Sequence, residues 1–280
     1  MRYIGIIGNG FVGKASCELG CPEVGILIYD IDPMKCDPQD LTLGGLVEKT
    51  DLILVSVPTP MGEDGSCCTS IVESVIREIK KYEPHPEIVI RSTVPVGFCA
   101  EWGVSFMPEF LTEKNYLDDF RRNPEWIFGI DGNSDGLRPL FEEILSAAKK
   151  HGKIESDALT IKTTREAEAI KYFRNCFLAV KVSFCNEFYD FCTEAGIDYS
   201  AVVGTAASDA RIGRSHTSVP GPDGKRGFGG TCFPKDVSSL ITQYKKRHVP
   251  CPILESAQER NTGMDRREQD WRQDRGRAVV

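Results

Sequence analysis

The run Gly227-Phe228-Gly229-Gly230-Thr231-Cys232-Phe233-Pro234-Lys235-Asp236 sets one cysteine between a glycine-rich turn and a predicted helix start. Helix N-terminal amides and a nearby ammonium lower a thiol pKa, and glycines let backbone and substrate approach closely. These residue types in this order therefore suit a reactive thiolate at Cys232. The competing reading is a structural cysteine on a turn, packing as a small hydrophobe. A second candidate pair is Lys171 and Asn175, four residues apart and so on one face of a helix. Its competing reading is a solvated lysine beside an asparagine making a local bond.

Such groups need a scaffold, and the N-terminal half describes one. The apolar run 2–7 leads into Gly8-Asn9-Gly10-Phe11-Val12-Gly13, followed by the helical Lys14-Ala15-Ser16-Cys17-Glu18-Leu19. This is G-x-G-x-x-G in its strand-turn-helix setting. A second apolar run, Val24 to Tyr29, ends at Asp30, about 20 residues beyond the glycines. An acid there would reach the adenosine ribose hydroxyls and repel a 2′-phosphate, so NAD is expected over NADP. Further apolar runs at 51–57, 87–90, 103–106 and 126–130 alternate with helical patterns, notably Ser70 to Tyr82 and Ser134 to Lys150. That alternation predicts a Rossmann-type, doubly wound, mostly parallel α/β sheet over residues 1–160, with ligands beyond the carboxyl ends of the strands. Three polar clusters stand there, at Pro58-Thr59-Pro60, Arg91-Ser92-Thr93-Val94-Pro95 and Met107 through Glu113.

From Thr164 to Gly196 there is no proline or internal glycine, and Ile170, Phe173, Phe177, Val180, Phe184, Phe188 and Phe191 recur at three- and four-residue spacing. One long helix is predicted, with more apolar face than a small domain can cover, hence a dimer interface. Shorter helices are expected over 235–247 and 252–262, so residues 161–263 read as an all-helical dimerisation domain. Residues 264–280 mix both charges with little apolar content and read as a solvated tail.

The 280 residues carry a formal net charge of −7, which argues against nucleic acid as the main partner. No signal segment or membrane-spanning run is seen, so the expected location is cytoplasmic. The eleven cysteines are scattered without paired ligand spacing, so neither disulfides nor a metal is expected.

These motifs, together with Tyr29-Asp30-Ile31-Asp32, Val57-Pro58-Thr59-Pro60, Arg91 through Gly97, Pro108-Glu109-Phe110-Leu111, Lys171 through Asn175, Asn186-Glu187 and Asp209-Ala210-Arg211-Ile212, resemble the UDP-glucose/GDP-mannose 6-dehydrogenase family from residue 2 to about 262. The resemblance implies a four-electron oxidation of a nucleotide-sugar primary alcohol to a carboxylate with two NAD per turnover. It implies a thiohemiacetal and then a thioester on Cys232. Lys171 and Asn175 would hold the substrate oxygen as charge develops, and Asp236, Glu109 and Thr93 would position or activate water. Gly8, Gly10, Val12, Gly13, Asp30, Lys35, Thr59, Thr93, Glu113 and Lys235 would bind NAD. The substrate would meet Glu109, Phe110, Leu111, Lys171, Asn175 and Gly229, and Arg211 would reach into the neighbouring subunit's site in a homodimer.

UDP-glucose is the expected substrate. GDP-mannose or a UDP-N-acetylhexosamine, a two-electron hydroxy-acid dehydrogenase, and a non-catalytic nucleotide-binding partner remain alternatives. Most members continue through a further nucleotide-binding domain, whereas this chain ends soon after Asn261, and reads as a short form without that domain. Thr112 stands where an arginine commonly follows Glu-Phe-Leu, and the loop 219–226 looks extended. Lys225 and Arg226 in that loop could stand in for missing diphosphate contacts, or could simply be solvated.

Overall fold

A computed structural model of the chain describes residues 1–132 and 136–280. They form two compact units, Met1–Thr59 with Thr69–Lys171, and Pro60–Cys68 with Tyr172–Val280.

The first unit holds strands β1 (Arg2–Ile7), β2 (Val24–Tyr29), β3 (Leu52–Val55), β4 (Glu87–Ile90), β5 (Ser105–Phe106), β6 (Trp126–Gly129) and β7 (Leu159–Lys162). Its helices are α1 (Phe11–Ser16), α2 (Leu43–Lys49), α3 (Ser70–Ile79), α4 (Phe98–Trp102), α5 (Tyr116–Arg121) and α6 (Leu137–Lys150), followed by the start of α7 (Thr164–Glu194). The predicted helix start at Ser134 lies outside the described residues.

The strands make one sheet in the order β2-β1-β3-β4-β5-β6-β7, parallel throughout except for the short antiparallel β5–β6 pairing. Successive side chains of a strand point to opposite faces, and both faces here are covered. Ile4, Ile6, Leu52, Leu54, Val89 and Phe128 join one core. Ile7, Ile53, Val55, Ile88, Ile90 and Ile127 join the other. This is why the strands read as unbroken apolar runs. Strand β7 escaped notice because Leu159-Thr160-Ile161-Lys162 is an edge strand with intermediate or exposed side chains and only half an apolar pattern.

The sequence places the domain boundary at 160/161, whereas the compact units part between Lys171 and Tyr172. The buried carboxylate of Glu168 accounts for the difference. It accepts the Gly97 amide at 2.6 Å and the Cys99 amide at 2.8 Å, holding the first turns of α7 to the first unit.

The second unit contains the rest of α7 with α8 (Tyr199–Ala206), α9 (Phe233–Lys246) and α10 (Pro252–Arg260). The predicted apolar stripe on α7 is not the face that packs inside this unit. Tyr172, Asn175, Cys176, Ala179 and Ser183 are buried, while Phe173, Phe177, Phe184 and Phe191 are more than half exposed.

The charged segment 264–280 is also not a solvated tail. Trp271 and Ala278 are buried, and the chain pairs with the 60–68 loop through Met61 N–H to Ala278 O at 2.9 Å and Val280 N–H to Met61 O at 3.1 Å. Arg266 is only 4% exposed, and its guanidinium binds Asp270 at 2.8 Å and Asp223 at 2.7 Å. One aromatic anchor and internally matched charges suffice to hold a sequence that looks solvated when only its charge density is counted. Among the described residues, no helix is long and apolar enough to cross a membrane.

Candidate active site

In the first unit the glycine turn follows β1, which lies between β2 and β3 in the sheet. Each glycine has its own reason. Gly8 has φ +94°, and a Cβ there would sit 2.6 Å from the Ser56 carbonyl. A Cβ on Gly13 would fall 2.0 Å from the Gly8 carbonyl oxygen. At Gly10 a Cβ would meet nothing within 4 Å, so here the backbone lies open to a close-approaching ligand, as a dinucleotide pyrophosphate requires. Val12 lies in the first turn of α1.

Gly13→Ala must push two backbone segments apart. It is expected to destabilise the chain by at least about 2 kcal/mol in urea unfolding, an overpacking cost; an unchanged midpoint would show that the turn relaxes freely.

Asp30 does more than await a ribose. Its carboxylate accepts the Asn9 amide at 2.7 Å and the Asp32 amide at 2.9 Å, so it shapes the turn that carries the glycines. Lys35 is held at the same rim by Asp32 at 3.4 Å, and its carbonyl accepts from the Asn9 side chain at 2.8 Å. Thr59 and Thr93 are buried after β3 and β4, and Glu113 is exposed.

The densest chemistry in this unit is the Glu109–Lys171 pair. Both side chains are buried, and Lys171 Nζ donates to Glu109 Oε1 at 2.8 Å and to the Glu109 carbonyl at 2.6 Å. The other carboxylate oxygen accepts the Leu111 amide at 2.8 Å, and the ammonium lies 5.4 Å from the centre of the Phe110 ring. Burial pushes the Glu109 carboxyl up, but the Lys171 charge, these hydrogen bonds and the Arg91 charge outweigh it. The group is held below the ordinary carboxylate range.

Arg91 was legible only as part of a rim cluster. It is fully buried, touches Met107 Sδ at 3.7 Å, and its Nε–H has no hydrogen-bond partner. Burial brings its guanidinium down to about 10, against the opposing charge of Glu109.

In the second unit Cys232 is the residue that begins α9, with Pro234 in the first turn. The Thr231 hydroxyl stands 3.7 Å from its sulfur. One turn on, Asp236 is 1% exposed and takes Asn175 Nδ2 on one oxygen at 2.6 Å and Lys235 Nζ on the other at 2.6 Å. Burial disfavours the Lys235 ammonium, yet the charges of Asp236, Cys232 and Cys67 more than compensate and raise its pKa. Tyr172 and Ser239, hydrogen-bonded at 2.9 Å, extend the polar interior of this unit.

The glycine turn before Cys232 is clamped by a residue that the sequence had not singled out. Asn261, fully buried, accepts the Phe228 amide and donates to the Phe228 carbonyl, both at 2.8 Å. A Cβ on Gly227 would lie 2.2 Å from the Asn261 oxygen, and one on Gly229 would lie 2.2 Å from the Arg266 guanidinium carbon. The only sequence signal for Asn261 is its place just after α10.

Lys225, though exposed, and Arg226 are not spare cations, since each is already paired with carboxylates. Lys225 binds Asp270 at 2.9 Å and Glu268 at 3.3 Å, and Arg226 binds Asp190 at 2.7 Å and Asp265 at 2.9 Å. Arg211 is largely exposed, with its guanidinium folded onto Asp209 at 2.6 Å. A cavity of about 500 Å³ in this unit is lined by Gly62, Asn261, Trp271, Arg272 and Arg275 among others, but not by Cys232, so it is distinct from the thiol.

With this geometry in hand, comparison with known proteins places the chain. Residues 39–145 match the model described as "UDP-glucose/GDP-mannose dehydrogenase family, NAD binding domain", and residues 165–263 match "UDP-glucose/GDP-mannose dehydrogenase family, central domain". The chain belongs to the UDP-glucose/GDP-mannose dehydrogenase family. Within it, the chain is 34% identical over 231 residues to UDP-glucose 6-dehydrogenase of Pseudomonas aeruginosa, covering 75% of this chain and 48% of that one. It is 30% identical over 298 residues to UDP-glucose 6-dehydrogenase TuaD of Bacillus subtilis, covering 93% and 63%. Among solved structures, a UDP-glucose dehydrogenase from the hyperthermophilic archaeon Pyrobaculum islandicum superposes with TM-score 0.79 at 25% identity, covering 94% of this chain and 68% of that one. The chain spans about half the length of most of these curated relatives. Most of the match to the family's NAD-binding domain, all but residues 60–68, falls in the first unit, and the glycine turn with open space at Gly10 suits that cofactor.

Proposed function

We propose that this protein oxidises the primary alcohol of a nucleotide sugar, UDP-glucose foremost, to the carboxylate through a thioester on Cys232. One observation carries the reading above all. Asp236, almost wholly buried, is held between Asn175 and Lys235 one helical turn beyond a cysteine at a helix start. Burying a charged cluster in a helical unit is expensive, and apolar residues would pack there at lower cost, so the arrangement points to chemistry.

NAD, when bound, takes the hydride released in each of the two oxidations. It would be held by Gly8, Gly10, Val12, Gly13, Asp30, Lys35, Thr59, Thr93, Glu113 and Lys235. After the first oxidation the Cys232 thiolate adds to the aldehyde carbon, forming a C–S bond and placing negative charge on oxygen. Lys171 and Asn175 are assigned as the donors to that oxygen. Loss of the second hydride leaves the thioester. Water then breaks the C–S bond, giving the acid and returning the thiol, with Thr93 positioning the water and the Asp236 and Glu109 carboxylates assigned to receive its proton. Phe110, Leu111 and Gly229 are assigned to the substrate.

A homodimer completes the proposal. The exposed phenylalanines of α7 supply the apolar face, and Arg211 is exposed and able to exchange Asp209 for a partner's substrate phosphate.

Substrate choice is testable by following NADH formation with UDP-glucose, UDP-N-acetylglucosamine and GDP-mannose. The highest kcat/KM is expected for UDP-glucose. Preference for another nucleotide sugar would change the substrate but keep the chemistry, and turnover with none of them would overturn both.

A further inference from the structure

A cluster in the first unit, made of none of the residues used above, has the composition of a metal site. The Cys21 thiol, a Glu23 carboxylate oxygen and a His151 ring nitrogen all lie within 4.8 Å of one another. Sequence spacing gave no hint of it, because the histidine comes from the far end of α6.

The three donors are held by backbone. Cys21 and Val24 exchange hydrogen bonds, N–H to O at 3.0 Å and at 2.9 Å, which closes the Cys21-Pro22-Glu23 turn ahead of β2. His151 is the residue that ends α6, its amide bonded to the Ala147 carbonyl at 3.2 Å. Its Nε2 already meets Glu23 Oε2 at 2.6 Å. Glu23 also carries Lys150 on Oε1 at 2.9 Å.

We propose that Cys21, Glu23 and His151 bind a zinc ion, with water in the fourth position. Sulfur, imidazole nitrogen and carboxylate oxygen together make a borderline-soft donor set that suits zinc and not magnesium or calcium. Tetrahedral zinc with bonds of about 2.0–2.3 Å needs ligand atoms about 3.3–3.7 Å apart, which small rotations of these side chains reach. On binding, the thiol gives up its proton to solvent, and the Nε2 proton of a neutral imidazole is replaced from solvent at Nδ1. Lys150, an exposed side chain, moves off as the ion takes over neutralisation of Glu23. The ion would tie the turn entering β2 to the end of α6, so its effect is on the stability of the first unit.

The test uses the full chain, reduced and stripped with chelator, then titrated with zinc against a chromophoric chelator and, separately, with cobalt. One tight equivalent is expected, with tetrahedral cobalt bands and a thiolate charge-transfer band. Cys21→Ser, His151→Ala and Glu23→Gln should each weaken zinc binding by at least about tenfold, a usual minimum for altering a zinc coordination shell. Cys36→Ser, at a half-buried thiol outside the cluster, should leave it unchanged. Glu23 is exposed, so its variant keeps the fold, and metal-free circular dichroism melts of all four should match the parent. Equal zinc affinity in parent and cluster variants, or equal loss in Cys36→Ser, would overturn the assignment.

Discussion

Replacing Cys232 by serine is expected to lower the rate of acid formation from the nucleotide sugar by at least about 10³-fold, the scale of losing a covalent nucleophile. The effect should fall on kcat, with NAD affinity little changed by fluorescence titration, because all the residues assigned to the cofactor except Lys235 belong to the first unit, and the substitution leaves Lys235 in place. A serine hydroxyl is a far weaker nucleophile at neutral pH than a thiolate next to the Lys235 ammonium, whose pKa is raised in part by Cys232 itself. If Cys232→Ser kept acid formation within about tenfold of the parent, covalent catalysis at this position would be wrong. The acid would then form through another nucleophile or through the hydrated aldehyde.

Lys171→Met is the second large effect, and it should strike stability and activity together. The Lys171–Glu109 pair is buried on both sides, so removing the lysine strands a carboxylate in the interior, at a cost of about 3–5 kcal/mol in denaturant unfolding. In the parent, Glu109 is held below its unfolded value. Its contribution to stability is therefore complete above the unfolded pKa of about 4.3, and is lost as pH falls through the lower folded value. In Lys171→Met burial is opposed only by the Leu111 amide and the Arg91 charge. Glu109 then shifts upward, and its contribution becomes a penalty that grows as pH rises through the unfolded value. The double variant Lys171→Met, Glu109→Gln should recover part of the stability and none of the turnover. Recovery of turnover with stability would reduce both residues to structural roles.

How much of this was legible in the sequence depends on whether a signal was local. The glycine turn, Asp30 and the buried strands were readable because strand, turn and acid lie within about 30 residues and obey short-period patterns. Cys232 and Asp236 were readable because a helix start and an i,i+4 spacing are local too. Lys171 and Glu109 were each picked out, but for separate tasks. That they are a single ion pair is a fact of tertiary structure, the two standing 62 positions apart. Glu168 and Asn261 were missed for the same reason, since each satisfies backbone far away in the chain; Arg266 was missed because its distant partner Asp223 has no local signal, although Asp270 stands four residues on. The 264–280 segment misled in the opposite direction, since its charges looked solvated until Trp271 anchored it and Asp223, Asp265 and Asp270 matched its arginines and those before it. The phenylalanine stripe of α7 was seen correctly as apolar, yet the face that packs within the second unit is the polar and small one, Asn175 to Ser183.

The central claim is a four-electron oxidation through Cys232, and the most direct measurement is the ratio of NADH formed to nucleotide sugar consumed, taken to completion with limiting sugar. Two NADH for each sugar, with one carboxylate produced, is the predicted result; a ratio of one, with the product left as an aldehyde or ketone, would contradict it.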